Sequence, residues 1–472
     1  MNETIAAMAT PPGPAGIGVV RLSGPAALHI LLRVFVPNKK AGPDSTAAES
    51  EPALVSHRIY YGRIHDPASG AFIDEALAFY MKQPHSFTRE DVAEIQSHGG
   101  MVNMDRILGA VMDAGAVLAA PGEFTKRAFL HGRIDLSQAE SVIDLIHAPC
   151  EAAARIASIQ LTGAFRDSIS DITTLLVTLR SRCEAGIEFE DTDAVDAESC
   201  LPLVRETLVQ ELIPHIRCLL QRHAETAIYK NGLVLVIAGA PNVGKSSLMN
   251  LLVDQEVSIV SEFPGTTRDL LKEYLSLDGI PVVACDTAGI HDTVDPVEAI
   301  GIARAMECID RADVVLFVVD ATRGLRSFEK DFLLTHGPNN VIAVINKTDC
   351  CSEEQVHAIA KEIPPGVLCV KTVATTGHGL DALKKAIVRQ VAAGALPPSA
   401  LSAGIPNLRH KKILEQVEAE MEACVAACDT HLPLDMISDL INAAISRIGE
   451  ISGQSDQHEI YDEIFSRFCI GK

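Results

Sequence analysis

The sequence predicts a multidomain chain mixing α+β and α/β architecture: an N-terminal α+β domain, a helical bundle, and an α/β domain with a mostly parallel sheet inserted into that bundle. Three observations predict it. Residues 1 to about 130 are rich in Gly and Pro and carry short β-type runs, such as 18–22 and 73–80, with one helical stretch near 102–114. From about 137 onward, residues 140–145, 152–187, 203–220 and 408–446 place apolar side chains three and four apart, the pattern of long amphipathic helices. Between these blocks, strand-like runs at 233–238, 281–285, 314–319, 341–345 and 367–370 alternate with helical segments, which implies parallel strands covered by helices on both faces.

In chain order, the boundaries fall at 1–130 for the N-terminal domain, 131–231 for the first helical part, 232–391 for the inserted domain and 392–472 for the second helical part. Helical sequence on both sides of a complete α/β unit implies insertion, because a domain whose termini lie close together can enter a bundle without disturbing it. Residues 271–277, the pair Asp278-Gly279 and residues 280–285 read as a hairpin that adds one antiparallel edge strand. The Ala-, Ser-, Pro- and Glu-rich segment 40–54 reads as an exposed loop.

A chain of 472 residues has room for about three domains of ~150 residues, and its 47% apolar content allows large cores. No stretch reaches the ~18 uninterrupted apolar residues of a membrane span, and the N-terminus has neither a basic start nor a long apolar run. A cytoplasmic chain without membrane anchor is therefore expected. The twelve cysteines form no C-x-x-C pair, and Cys424 and Cys428, four apart, read as small buried residues on one helix face. The formal net charge of −22 leaves no global positive field for phosphate, so a nucleic-acid partner requires a local basic patch. The acidic run Glu184, Glu188, Glu190, Asp191, Asp193, Asp196 and Glu198 reads as a solvated helix end and loop.

Four motifs carry chemistry. Gly239-Ala-Pro-Asn-Val-Gly244-Lys245-Ser246 matches G-x-x-x-x-G-K-[ST], follows an apolar strand and opens into a helix. Such a loop wraps phosphates in backbone N–H groups, with Lys245 reaching the outer phosphates, Ser246 ligating Mg²⁺ and the helix N-terminus adding its dipole. Asp286-Thr287-Ala288-Gly289 ends a strand, where the acid supports Mg²⁺ and the Gly N–H faces a γ-phosphate. Asn346-Lys347-Thr348-Asp349 ends another strand, and Asp349 can accept hydrogen bonds from the N1–H and exocyclic amine of guanine. Adenine has no donors there and would leave the carboxylate unpaired, so the nucleotide is GTP. Gly265-Thr266-Thr267-Arg268-Asp269 lies between, where a Thr completes the Mg²⁺ shell only while the γ-phosphate is present. Together these make the inserted domain a Ras-like P-loop G domain. Ile290 follows Gly289 where a water-positioning Gln would stand, so another group must orient the attacking water, and an arginine or a cation must offset charge.

The whole chain resembles the MnmE/TrmE family of tRNA-modifying GTPases. The resemblance rests on Ala9-Thr-Pro-Pro-Gly13 with Gly16-Ile-Gly-Val-Val-Arg21, on Ser86-Phe-Thr-Arg-Glu-Asp91, and on Glu94-Ile-Gln-Ser-His-Gly-Gly100. It rests further on Pro121-Gly-Glu-Phe-Thr-Lys-Arg-Ala-Phe129, on Gly132-Arg-Ile-Asp-Leu-Ser-Gln-Ala-Glu-Ser141, and on the terminal Phe468-Cys-Ile-Gly-Lys472. The resemblance implies that the N-terminal domain binds formyl-tetrahydrofolate through Arg21, Glu94, Arg133 and Lys472 and forms a homodimer. It implies a partner, an MnmG (GidA)-type FAD protein, with which the chain places an aminomethyl or carboxymethylaminomethyl group on carbon 5 of the wobble uridine of certain tRNAs, with Cys469 as a candidate in that chemistry. It implies GTP contacts at Asn242, Val243, Gly244, Lys245, Ser246 and Ser247, at Ser261, Glu262, Phe263, Pro264, Gly265, Thr266 and Thr267, at Asp286, Thr287, Ala288 and Gly289, and at Asn346, Lys347 and Asp349. Mg²⁺ would be held by Ser246 and Thr267, and K⁺ by Asn242, Ser261, Phe263 and Thr266, with Glu298 orienting the water and Lys245 on the phosphates. Val373 stands where the family usually has Ser, which removes a side chain beside guanine but leaves a backbone contact.

Other readings stand beside these. Without the resemblance, Cys469 would be a buried C-terminal cysteine, and His98 and His131 would be structural or exposed histidines before they were folate or RNA contacts. The rival function is a regulatory GTPase switch in ribosome assembly or stress response. Such proteins usually carry a basic RNA-binding appendage, and both flanks here are acidic or neutral.

Overall fold

A computed structural model describes residues 3–38, 54–188, 197–255, 272–277, 279–286, 306–391, 404–453 and 458–471. They form two compact units, one from 1–143 with 445–472 and one from 144–444.

In the first unit, β1 (Ile5–Met8), β2 (Gly18–Ser23), β3 (Phe35–Pro37), β4 (Ile59–His65), β5 (Phe72–Met81), β6 (Val92–Ser97) and β7 (Val117–Leu118) form one sheet in the order β3-β4-β5-β6-β2-β1-β7. Only the β1–β7 pair is parallel. Alternating side chains such as Val20, Leu22, Ala78, Tyr80, Ala93 and Ile95 point to one face. There they pack on α1 (Ala27–Val34) and α2 (Met101–Asp113) through Ile30, Leu31, Ile107 and Val111. The helix expected near 102–114 is α2. A second cluster joins α3 (Glu123–Leu130) and α4 (Leu136–Ile146) to a C-terminal helix, His458–Ser466, through Phe129, Leu136, Tyr461, Phe465 and Phe468.

In the second unit, the helix expected over 152–187 is two helices, α5 (Glu151–Leu161) and α6 (Ala164–Glu188). Gly163 separates them at φ 94°, a left-handed conformation that only glycine takes without strain. The stretch 203–220 is likewise interrupted. After α7 (Ala197–Thr207), residues Leu208–Leu212 form a π-turn before α8 (Ile213–Asn231). Pro214 accounts for it, because it has no N–H to donate and its ring collides with the carbonyl four residues back. Residues 408–446 divide at Thr430–Pro433 into Leu408–Asp429 and Leu434–Ser452. Cys424 and Cys428 are both buried, as their spacing suggests, and Cys183 and Cys200 are buried with them in the bundle.

The six-stranded sheet of this unit comprises β8 (Leu233–Gly239), β9 (Lys272–Leu277), β10 (Ile280–Asp286), β11 (Val314–Asp320), β12 (Val341–Asn346) and β13 (Leu368–Lys371) in the order β13-β12-β11-β8-β10-β9. Only β9 runs antiparallel, paired to β10 as the hairpin reading requires. Strands such as Val-Val-Leu-Phe-Val-Val-Asp are buried throughout because both faces are covered. One face also receives Ala152 and Ile156 of α5 and Tyr229 of α8, so helices and sheet share one core. The sheet order reverses at β8, flanked by β10 and β11, and the crevice at the carboxyl ends there is where α/β sheets bind ligands.

Candidate functional site: the phosphate loop and the loops around it

The loop after β8 runs from Gly239 into α9 (Lys245–Gln255). Gly239 sits at φ 143°, and a Cβ there would lie 2.4 Å from the Val318 carbonyl oxygen. Gly244 sits at φ 100°, with a Cβ position 2.4 Å from Asn346 Nδ2. Both positions exclude every other residue, leaving bare backbone N–H groups at the helix start. Asn242 takes φ 64°, the left-handed conformation that Asn tolerates best among non-glycine residues, and its side chain is exposed. Lys245 is 8% exposed and its ammonium donates to the carbonyls of Gly239 (3.0 Å) and Ala240 (2.9 Å), lying across the loop it belongs to. Ser246 and Ser247 are exposed at the helix start, whereas Val243 is buried and anchors the loop.

Asn346, 1% exposed, joins this loop to its neighbours. Its Nδ2 donates to the Val243 carbonyl at 2.9 Å, and its Oδ1 accepts from the Ala374 N–H at 3.0 Å and the Thr372 hydroxyl at 3.4 Å. Lys347, at φ 60°, turns its ammonium onto the Asn242 carbonyl (2.9 Å) and Asp320 Oδ2 (2.7 Å). Burial pushes the Asp320 carboxyl upward, but Lys347 and the hydroxyl and N–H of Thr322 outweigh it, so its pKa falls below the usual carboxylate range. Asp349 is exposed on the short turn Thr348–Cys350, beside a groove also lined by Val373, His357 and Lys371. The Thr348 hydroxyl holds that turn against the Thr372 carbonyl at 3.2 Å. Asp286 ends β10 opposite Ile237 of β8, beside the phosphate loop.

The phosphate and base motifs expected from sequence therefore meet at one end of the sheet. Sequence reasoning missed Asp320 and the two bonds that Thr372 and Ala374 donate to Asn346. An acid closing a fully apolar strand was the available signal for Asp320; nothing local marks the other two. Ser261, Glu262, Phe263, Pro264, Gly265, Thr266, Thr267, Thr287, Ala288, Gly289, Glu298 and Lys472 lie outside the described residues.

Family comparison settles the kinship. Residues 136–469 match the model of the MnmE helical domain, and residues 4–133 match that of the GTP-binding protein TrmE N-terminus. The chain belongs to the MnmE family. Proteins named tRNA modification GTPase MnmE from Acetivibrio thermocellus and Carboxydothermus hydrogenoformans are each 38% identical over 475 residues, covering 100% of this chain and 99% and 100% of theirs. The protein of that name from Thermoanaerobacter pseudethanolicus is 40% identical over 473 residues, covering 100% of this chain and 99% of its own.

Against that MnmE kinship, the N-terminal residues of interest divide into two places. Arg21 of β2 faces Glu94 of β6 in register, with Nε 2.6 Å from Oε1, and its Nη1 donates to the Gly471 carbonyl at 3.4 Å. The guanidinium lies 5.9 Å from the centroid of the Phe124 ring. Arg133 stands apart, donating to the Ser86 carbonyl at 2.9 Å and lying 5.6 Å over Phe87. Phe87 packs on the cluster that contains Phe124, so the two guanidiniums flank one aromatic patch. Gly471, at φ 95°, is buried where a Cβ would meet the Met8 carbonyl. Cys469 is exposed, contrary to the reading from sequence alone: Phe468 and Gly471 turn inward and leave Cys469 and Ile470 on the surface.

Proposed function

We propose that this chain binds and hydrolyses GTP and acts in tRNA modification, forming with an MnmG-type FAD protein the 5-carboxymethylaminomethyl or aminomethyl group on the wobble uridine of certain tRNAs. The observation that supports it best is the Asn346 side chain, which ties the base-reading segment to the phosphate loop and so favours one nucleotide held at both ends. The full-length likeness to proteins named tRNA modification GTPase MnmE supports the RNA role.

Backbone N–H groups from Gly244 onward would cradle the phosphates, and Lys245 would leave the loop carbonyls for the outer phosphates. Ser246 with Thr267 would hold Mg²⁺, while Asn242, Ser261, Phe263 and Thr266 would hold K⁺. Bound there, the cations supply positive charge against the charge that develops on the phosphate oxygens. Glu298 would orient the attacking water. Asp349 would accept from guanine, and the Ala374 segment, which has no side-chain donor at Val373, would meet the base with backbone only. Arg21, Glu94, Arg133 and Lys472 would bind formyl-tetrahydrofolate in a homodimer, a reading supported by the two guanidiniums flanking one aromatic patch. A soluble cytoplasmic enzyme fits these partners.

The reading is tested by titrating the chain with labelled nucleotides and by mass spectrometry of tRNA nucleosides from a strain lacking it. GTP should bind in preference to ATP, and Asp349→Asn should move the preference to xanthosine triphosphate, whose 2-oxo group accepts where guanine donates. Wobble uridine modification should vanish in the deletion strain. Preference for adenine, or an unchanged nucleoside profile, would overturn the corresponding half of the proposal.

A further inference from the structure

Three turns of the first unit, at 54–58, 82–91 and 131–133, are hydrogen-bonded into one surface. The Lys82 N–H donates to Ser56 Oγ at 3.0 Å, and His57 Nε2 meets the His85 carbonyl at 2.9 Å. Arg89 donates to the His131 carbonyl at 2.9 Å, His131 Nδ1 meets the Thr88 carbonyl at 2.7 Å, and Arg133 donates to the Ser86 carbonyl at 2.9 Å. The turns expose Arg58, Lys82 and Arg89, with His57, His85 and His131 among them, and Arg133, assigned to folate above, borders them.

The acids these turns carry do not cancel the cations. Glu90 faces inward, accepting from buried Arg127 at 2.9 Å and from Ser23 at 2.8 Å. Asp91 is part-buried and accepts from the Gln83 N–H at 2.9 Å. By composition the loop Lys82–Asp91 is balanced; by orientation its outer surface is cationic. This stands out on a chain of net charge −22. A field of this kind acts within roughly a Debye length of ~8–10 Å, so distant acids are screened from a ligand seated on it. The one phenyl ring on these turns, Phe87, lies beneath Arg133 and packs on the Phe124 cluster.

We propose that this surface binds the phosphate backbone of the tRNA. The inference rests on the tRNA reading above and adds where the RNA is held. With cations spaced along the surface, the contacts are to phosphate, so binding is salt-dependent and tolerant of sequence.

The test measures binding of the full chain to an unmodified tRNA transcript across a potassium chloride series, for wild type and for Arg58→Gln with Lys82→Gln. Neither residue belongs to the nucleotide or folate machinery, and both side chains are exposed, so GTP hydrolysis should be unchanged. The double variant should bind tRNA at least tenfold more weakly at low salt, and its plot of log affinity against log salt should flatten by about 1.5, the share of two phosphate contacts. A strain carrying it should show reduced wobble modification. If the double variant binds tRNA as wild type does while the deletion strain loses the modification, the surface assignment is wrong and the tRNA reading stands. If the deletion strain keeps the modification and the wild type binds no tRNA, both fall. If tRNA binding is unchanged and only a polyglutamylated folate binds more weakly, the patch serves a carboxylate tail and the RNA assignment is overturned.

Discussion

Asn346 Nδ2 donates to the Val243 carbonyl at 2.9 Å, and this bond joins the segment proposed to read a base to the loop proposed to hold phosphates. Asn346→Ala would strand a buried carbonyl and the Ala374 N–H together, at a cost of about 1–3 kcal/mol for each group left unsatisfied. GTP affinity should fall by more than tenfold, and the thermal midpoint should drop even without nucleotide. Calorimetric titration and melting curves check the two effects separately.

Gly244→Ala should abolish nucleotide binding while leaving the fold largely intact. Its Cβ would press on Asn346 Nδ2 from 2.4 Å and hold the backbone away from φ 100°. Circular dichroism like wild type, with no nucleotide-dependent shift in melting, is the expected result. A variant that still binds GTP tightly would show that the loop can relax around the methyl group.

Asp320→Asn should loosen Lys347, whose ammonium sits 2.7 Å from Oδ2, and with it the Asn242 carbonyl. The Asp320 pKa is depressed, so the stability it contributes is full above the ordinary carboxylate value of 3.8 and is lost as pH falls through the lower folded value. Wild type should therefore lose stability on acidification over that window more steeply than Asp320→Asn, as urea midpoints measured against pH would reveal.

The inserted sheet was the most legible part of the sequence, because strands such as 314–319 are apolar runs bounded by motifs of fixed spacing, and periodicity alone locates them. The breaks at Gly163 and before Pro214 were written there too, but a period of three and four carries across a single interruption and hides it. What Asp320 and Ala374 touch was illegible for another reason. Each earns its place by contact with a residue 27 or 28 positions away, and no local pattern encodes such a meeting. The inward turn of Glu90, in a loop, is of the same kind, set by Arg127 of α3.

His98 should titrate above the ordinary imidazole value of 6.5, because it hydrogen-bonds the Asp74 carboxylate at 2.9 Å. Its contribution to stability is complete below that ordinary value and disappears as pH rises through the raised one. Proton NMR should place the midpoint above that of a free histidine, and Asp74→Asn should return it.

Iodoacetamide should label Cys218 and Cys469 in the folded chain and spare Cys183, Cys200, Cys424 and Cys428 until urea unfolds it. Burial pushes the Cys183 thiol up to about 12, which reinforces the protection. Cys350 is exposed but held up by the neighbouring Asp349 charge, so Asp349→Asn should speed its labelling. Peptide mass spectrometry over a time course separates these classes.

Ala152, Ile156 and Tyr229 lie in the same apolar cluster as Leu233, Ile280 and Val282. A fragment cut at residue 232 would lift the sheet off its own floor and leave that floor wet and sticky. The inserted part is thus no passenger that can be excised cleanly. Heated or pulled, α5, α8 and the sheet should give way together, because a distortion of the strands reaches those two helices through the core they share.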